Sequence, residues 1–512
     1  METRSAKRKR LLNRVRSSPD GDDRLSDLPD AILHHIFFLL PIKTVAQTSV
    51  LSKRWRQLWY SFPDLDFTTI NPFANAPVKI SSTGRKKVHS WIANGADSIN
   101  QVLALRDRNS PIRALRFRAH VTFSRLNRLM RRAVKLNVQE LDIEVATNDY
   151  FNFPRSVISC ETLRVFKLKS RYPGFRLPPS PIMKGGFQSL HTLSLSYIIL
   201  YDQPSLLNLF TDSSFPLLKK LNLDGCNGLM HLSVSCRALE ELSLENCCQL
   251  EHLDIVGSKL ERLRVISCFD SYSNDSLVKI DAQRLESIFW SNNTITDKCC
   301  LQNLISLHGA FIGFFILFED LSAVKLRSVS NFLSGIASSQ CLILEYQSIE
   351  ILSKNNHIAG VSLCCFSKLQ SLELHTGFNK HNIPGLANLF RSAPAIHTLI
   401  IKIINDHNVE RRPWNRDLWQ LSSTVEERFW ESQSQVMKSF LQHLKIVKIH
   451  GFSECENEIS LVKFLLKHGK VLEEMFLYGG FSKSRDSLHR EKIKSQIMGF
   501  SRASGNAKIA FD

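Results

Sequence analysis

The chain has 512 residues, 43% of them hydrophobic and 22% charged, with a formal net charge of +18; it is too long for one small domain and too apolar for a disordered chain, so two or more domains or one long repeat array are expected. The charge is uneven, since residues 1–135 hold 26 Lys and Arg against 10 Asp and Glu, while the remaining 377 hold 40 against 38. The most lipid-like run, Ala310 to Phe318, is nine residues long and ends at Glu319 and Asp320, far short of the roughly 20 that span a bilayer, so it is read as buried core and no membrane partner is expected.

The opening METRSAKRKRLLNRVR is basic and lacks the apolar segment of a secretory signal. Residues 1–22 are read as a disordered basic arm. Lys7 to Arg10, with Arg14 and Arg16, stand either as a nuclear-import signal or as a solvating tail, and the protein is expected in the nucleus, the cytoplasm or both.

From Asp23 to Phe67 the spacing predicts three short helices. Leu28 precedes Pro29, which suits a first helical position because that N–H would be unpaired anyway. Ile32, Ile36 and Leu40 then recur every four residues with Leu33 and Phe37 beside them, and Pro41 stops the helix. Val45, Ser49 and Val50 are placed on a second helix, and Ser52 is a natural N-cap for a third carrying Trp55, Leu58 and Trp59. So small a unit has too much surface for its volume to bury all these side chains, so the surplus calls for a partner.

The Leu28-Pro29 step, the aliphatic spacing through Ile32, Leu33 and Ile36, and the Ser49 to Trp55 run SVLSKRW resemble the F-box. That resemblance implies docking onto a Skp-type adaptor and, through it, a cullin-based ubiquitin ligase. Leu28, Pro29, Ile32, Leu33, Ile36 and Trp55 are the nominated docking residues, with internal packing of the small unit as the alternative for each. A helix-turn-helix module is the other reading, given Lys53, Arg54 and Arg56, but Trp55 and Trp59 suit a desolvated protein interface better than base edges.

Residues 68–87, rich in Asn, Pro, Ala and Ser, are read as a linker. From 88 to 430 one spacing recurs: apolar, two others, apolar, one other, apolar. It appears as Ile112-Leu115-Phe117, Val138-Leu141-Ile143, Leu163-Phe166-Leu168, Leu190-Leu193-Leu195 and Leu218-Leu221-Leu223, with central positions 25 to 28 residues apart. A period in the twenties with this core predicts a leucine-rich-repeat solenoid with one short strand per unit. On a predicted helix, Arg125, Arg128, Arg132 and Lys135 lie opposite Leu126, Leu129, Ala133 and Leu136, as either a solvated face or a site for a phosphate-bearing or acidic partner.

Leu221, Leu242 and Leu263 are 21 residues apart, as are Cys226, Cys247 and Cys268. Leu229-Leu232-Val234 and Leu250-Leu253-Ile255 repeat the spacing midway, which predicts a second extended segment per turn on the convex side. The cysteines fall where this repeat places a buried Asn or Cys, so structural thiols are expected. The 12 cysteines include no C-x-x-C, which disfavours zinc. Later copies, Leu285-Ile288-Trp290, Leu369-Leu372-Leu374, Ile396-Leu399-Ile401 and Leu444-Val447-Ile449, are less evenly spaced, and Arg411 to Trp430 is read as an inserted loop.

Residues 431–480 predict a strand ending at Gly451, a helix with Ile459, Val462, Leu465 and Leu466 on one side and Glu454, Glu456, Asn457 and Glu458 near its start, and a last strand at Leu472-Met475-Leu477. Its Gly451-Phe452 followed by acidic residues, LVKFLL and VLEEM resemble the FBD region of plant F-box proteins. Residues 481–512 are read as a tail. The order resembles the plant F-box/leucine-rich-repeat family with an FBD end, an α/β chain in which a three-helix F-box precedes a solenoid and an α/β cap. No catalytic or cofactor motif is present, and the 17 histidines lack metal-ligand spacing. Side chains flanking the strand leucines nominate Asn222, Asp224, Ser243, Glu245 and Arg264 as a concave binding set for an unknown protein substrate. They are of mixed sign and lack a large apolar anchor. A scaffold without ligase output and a basic nucleic-acid-binding solenoid are the remaining readings, with nucleic acid the less favoured partner.

Overall fold

A computed structural model describes residues 25, 28–70, 98–107, 109–146, 151–152, 154–171, 175–176, 180–199, 209–270, 275–315, 322–355, 364–377, 382–404, 423–479 and 487–511. The basic arm expected over 1–22 lies outside them, as do 71–87 of the expected linker, 316–320 at the end of the apolar run and 411–422 of the expected inserted loop. The chain divides into two compact units, Met1–His120 with Arg131–Glu140, and Val121–Met130 with Leu141–Asp512. Among the described residues no helix is long and apolar enough to cross a membrane.

The first unit opens with helices α1 (Asp30–Phe38), α2 (Ile42–Thr48) and α3 (Lys53–Ser61). Pro29 and Pro41 stand at the N-caps of α1 and α2, one residue outside the helix, and the Ser52 hydroxyl accepts from the Trp55 N–H at 3.2 Å to cap α3. Val50, expected on the second helix, lies past its end at Thr48. Leu33, Phe37, Val45, Leu58 and Phe62 are buried, with the Phe37 ring 5.6 Å from Trp55 and edge-on to Phe62 at 5.5 Å. Trp59 is buried as well.

Strand Asp64–Asp66 pairs in parallel with Ala114–His120, bringing Leu65 beside Leu115. The buried Arg106 guanidinium donates to the carbonyls of Phe62, Ser110 and Pro111, and burial lowers its pKa to about 10. It thereby fastens the end of the three-helix segment to the strand that follows. Arg113 makes a two-point bond to Asp64, at 2.9 and 2.6 Å.

In the second unit a long parallel sheet runs in chain order to a last strand at Lys508–Phe511, and the strands at the predicted copies take their inward residues from that spacing. Leu221, Leu242 and Leu263 stand side by side, and their strands are in register over five residues. The two predicted second extended segments are the strands His231–Ser235 and His252–Val256, and they belong to a five-stranded sheet that also holds Phe210–Thr211, Leu277–Asp281 and Lys298–Gln302. The Cys226, Cys247 and Cys268 thiols are buried and reach the carbonyls of Leu195, Leu223 and Leu244 in the preceding turn, at 3.6, 3.4 and 3.3 Å.

The next turn places Asn293 at this position, three residues after Trp290 as each cysteine is three after its strand's last apolar residue. Its amide donates to the carbonyls of Val265 and Ser291 and accepts from the N–H groups of Cys268 and Phe269. A strand was not foreseen at Cys341–Leu344, and Gly309–Phe315 turns the apolar run into a sheet strand with Phe311 outward of buried Ala310 and Ile312.

Beyond these turns the return segments become helices, at Ala323–Gly335, Tyr346–Asn355 and Ile383–Ser392. Two expectations need correction. The end of the expected inserted loop is a helix, Ser423–Gln433, whose buried Trp430 packs 5.7 Å from Phe464 and whose Glu431 accepts from Lys467 at 2.8 Å. The expected tail contains helix Ser487–Met498, with Ile493 and Ile497 buried, and the last strand, so Glu474–Gly479 is not the sheet's end. In both places the apolar residues are too few and too interrupted by charge to give a visible period. Glu458, expected as one of the polar residues near the start of the cap helix, is buried there and turns back to the N–H groups of Ser453 and Cys455 as a capping box.

Candidate functional site

The first candidate surface lies on the three-helix segment. Leu33 and Phe37 fill the inner side of α1, which leaves Ile32 exposed and Ile36 half-buried on the outer side. The ends of α1 and α2 add Phe38, Leu39, Leu40, Val50 and Leu51, all exposed. Large apolar side chains left in water beside a filled core mark a docking surface. Arg54 closes one edge, donating to Asp30 at 2.7 Å and to the Leu28 carbonyl, and the Arg113 guanidinium stands 5.6 Å over the Phe38 ring.

The second candidate surface is a groove of about 540 Å³ on the open face of the long sheet in the second unit. Strand register sets Ser194, Asn222, Ser243, Arg264 and Phe289 side by side along it, with Phe311 next in line just beyond its lining. Glu241 accepts from Lys220 at 2.9 Å and from Arg262, and the Lys220 bond is the main reason its carboxyl lies below its ordinary pKa. Glu245 accepts from Arg264 at 2.8 Å and from the Ser243 hydroxyl at 3.0 Å. The Arg264 guanidinium lies 4.3 Å over the Phe289 ring, which stacks on Phe311 at 4.2 Å and 10°.

Asn222 donates to the Ser194 hydroxyl at 3.2 Å, while its Oδ1 is buried with no hydrogen-bond partner. Farther along the same face, Glu373 accepts from His375 at 2.7 Å and Lys402 at 2.5 Å; burial alone would raise its carboxyl, but these two partners outweigh it and hold the pKa below the ordinary value.

The F-box domain family matches residues 25–66, the family described as "At1g61320/AtMIF1, LRR domain" matches 111–297, and the FBD family matches 431–477. An F-box/FBD/LRR-repeat protein of Arabidopsis thaliana is 48% identical over 515 aligned residues, covering 100% of both chains. The chain belongs to the F-box/FBD/LRR-repeat family. Other relatives from the same plant are an F-box/LRR-repeat protein, 26% identical over 90% of this chain and 88% of its own, and an F-box/FBD/LRR-repeat protein, 24% identical over 91% and 92%.

Within this F-box/FBD/LRR-repeat protein the nominated docking residues separate by depth. Pro29 and Ile32 are exposed, Leu28, Ile36 and Trp55 are half-buried, and Leu33 is wholly enclosed, so the Leu33 side chain packs the interior and is closed to a partner. The exposed Phe38, Leu39, Val50 and Leu51 were not nominated, although each lies next to a helix end where turning chain cannot bury it. In the repeat array, Asn222, Ser243 and Arg264 line the groove, whereas Asp224 and Glu245 lie outside its lining; Asp224 accepts from Asn246 at 3.0 Å and Glu245 positions Arg264. The nominated set has no large apolar side chain of its own, but register puts Phe289 and Phe311 in line with Arg264.

Proposed function

We propose that this protein is the substrate-receptor subunit of a Skp-cullin-F-box ubiquitin ligase. The three-helix F-box docks a Skp-type adaptor, the adaptor joins the cullin, and the leucine-rich repeats present a protein substrate. The observation that carries this reading is the exposed apolar set at Ile32, Phe38, Leu39, Val50 and Leu51, standing beside a filled core within the F-box. The chain needs no nucleophile for such a role, because holding a substrate lysine near a thioester carried by another subunit raises the local concentration enough to drive transfer.

The basic alternative has less support. Arg54 is committed to Asp30 and Leu28, and Arg132 donates to the Asn100 carbonyl at 2.8 Å, so neither stands ready for phosphate. The test is reconstitution with purified adaptor, cullin and conjugating enzyme, using substrates captured when degradation is blocked. Adaptor binding with ubiquitin transfer to a captured protein is expected. Adaptor binding without any transfer would leave a scaffold instead. The compartment we propose is the nucleus or the cytoplasm, tested by imaging the full chain and a chain lacking residues 1–22.

A further inference from the structure

The groove on the repeat array has more cationic than anionic lining. Its lining holds Lys167, Lys220, Arg262 and Arg264 but one carboxylate, Glu241, which Lys220 and Arg262 share; from beyond the lining Glu245 pairs with Arg264 and Glu261 with Arg262. Among the described residues Lys167 has no carboxylate partner. Next to Arg264 the parallel Phe289 and Phe311 rings form an outward apolar shelf. On the other side, the buried Asn222 Oδ1 is an acceptor without a donor.

We infer that the groove takes an extended peptide segment in which an Asp or Glu lies two to three positions from an aromatic residue, the carboxylate meeting Arg262 and Arg264 and the ring lying on Phe289 and Phe311. This deepens the receptor reading above and rests on it only for the biological role of the peptide.

The spacing follows from the sheet. Neighbouring strands are about 4.8 Å apart, so Arg264 and Phe311, two strands apart, are separated by roughly 10 Å, and an extended peptide covers about 3.3 Å per residue. Two to three residues therefore bridge the cation and the shelf. Asn222 is two strands to the other side of Arg264, where the backbone of the same segment passes. Glu241 and Glu245 already offset part of the charge on Arg262 and Arg264, which suits a singly charged carboxylate better than a phosphoryl dianion.

The test is selection of a displayed library of random dodecapeptides on the full chain, followed by fluorescence polarisation with the enriched peptides. Enrichment of Asp or Glu two to three positions from Phe, Tyr or Trp is expected. The double variant Arg262→Gln, Arg264→Gln should weaken the best peptide at least tenfold, while Lys167→Glu, which breaks no ion pair and lies four strands from Arg264, should change it less than threefold, separating a local contact from a general charge effect. Phe289→Ala should remove the aromatic preference and leave the acidic one. Enrichment without acidic residues, binding unchanged in the arginine variant, a loss in Lys167→Glu as large as in the arginine variant, or enrichment only after phosphorylation of the library would overturn the assignment. The selection uses neither adaptor nor cullin, so peptide binding with no ubiquitin transfer would sink the ligase reading alone, and a working ligase indifferent to these substitutions would sink the groove assignment alone.

Discussion

Docking through the F-box can be separated from folding of the F-box, because the structure sorts neighbouring apolar residues by depth. Ile32, Val50 and Leu51 are 48%, 80% and 66% exposed, while Leu33 is 0% exposed. Full burial of such a side chain is worth about 1.5–3 kcal/mol. Scaled by the exposure still to be lost, and allowing for what alanine retains, the triple variant Ile32→Ala, Val50→Ala, Leu51→Ala should lose roughly 2–4 kcal/mol of adaptor affinity, or about 30- to 1,000-fold in Kd. Its folding free energy should move little, since surface truncations cost within about 0.5 kcal/mol each. Leu33→Ala should do the reverse, costing about 2–5 kcal/mol of stability through an internal cavity. Isothermal titration against a purified Skp-type adaptor reads the first quantity and urea unfolding the second. A triple variant that binds within threefold of the unaltered chain would refute the surface assigned here.

Three further outcomes follow from the packing. Asn293→Ala removes four hydrogen bonds at about 1 kcal/mol net each, so urea unfolding should show a loss near 4 kcal/mol, and Asn293→Cys, which copies positions 226, 247 and 268, should recover part of it. Arg106→Met strands three carbonyl acceptors and should lower stability by roughly 2–4 kcal/mol in thermal melts, with no rescue by Lys, whose single ammonium cannot reach as widely. Burial pushes the Cys236 and Cys299 thiols up to about 12. Because the folded pKa exceeds the unfolded one, this stability is complete below about pH 8.5 and declines as pH rises toward 12, by up to about 1.4 kcal/mol per pH unit per thiol; a Cys236→Ala, Cys299→Ala chain should show a flatter alkaline limb in denaturation at stepped pH.

The array was legible wherever an inward residue recurs at fixed spacing. Leu193, Leu221, Leu242 and Leu263 had to be neighbours, since each is the central inward residue of one copy of the same strand pattern, and the 21-residue step from Leu221 to Leu263 also exposed the second sheet. Legibility failed where return segments lengthened. Between Ala310 and its neighbour Leu342 a helix fills the return, and Gly335 is needed there because a Cβ would collide with Leu301. A lone glycine in Phe332-Leu333-Ser334-Gly335 carries no period to announce that contact. The small F-box was readable as helices because Pro29, Pro41 and Ser52 punctuate it, yet the stripe Ile32, Leu33, Ile36, Phe37 cannot say which edge turns inward until Phe62 and Trp55 close over Phe37.

The groove shows why chemistry was harder to read than fold. At Asn222, Ser243 and Arg264 polar residues alternate with leucines, so outward positions declare themselves. At Ile288-Phe289-Trp290 and Ala310-Phe311-Ile312 every residue is apolar, and alternation no longer distinguishes the core from the open face. Register resolves it, because Arg264 pairs with Phe289 and Phe289 with Phe311, so a polar neighbour two strands away fixes the direction of an aromatic ring. Gly313 sits on the same strand two residues on, where a Cβ would collide with the Glu345 carboxylate that reaches Ser291 at 3.0 Å. Any side chain there would displace Glu345 from the edge of the shelf, so the glycine holds a carboxylate beside the aromatic rings and leaves the cations at the other end of the groove. The acidic peptide proposed above would therefore favour the direction that sets its carboxylate toward Arg264 and away from Glu345.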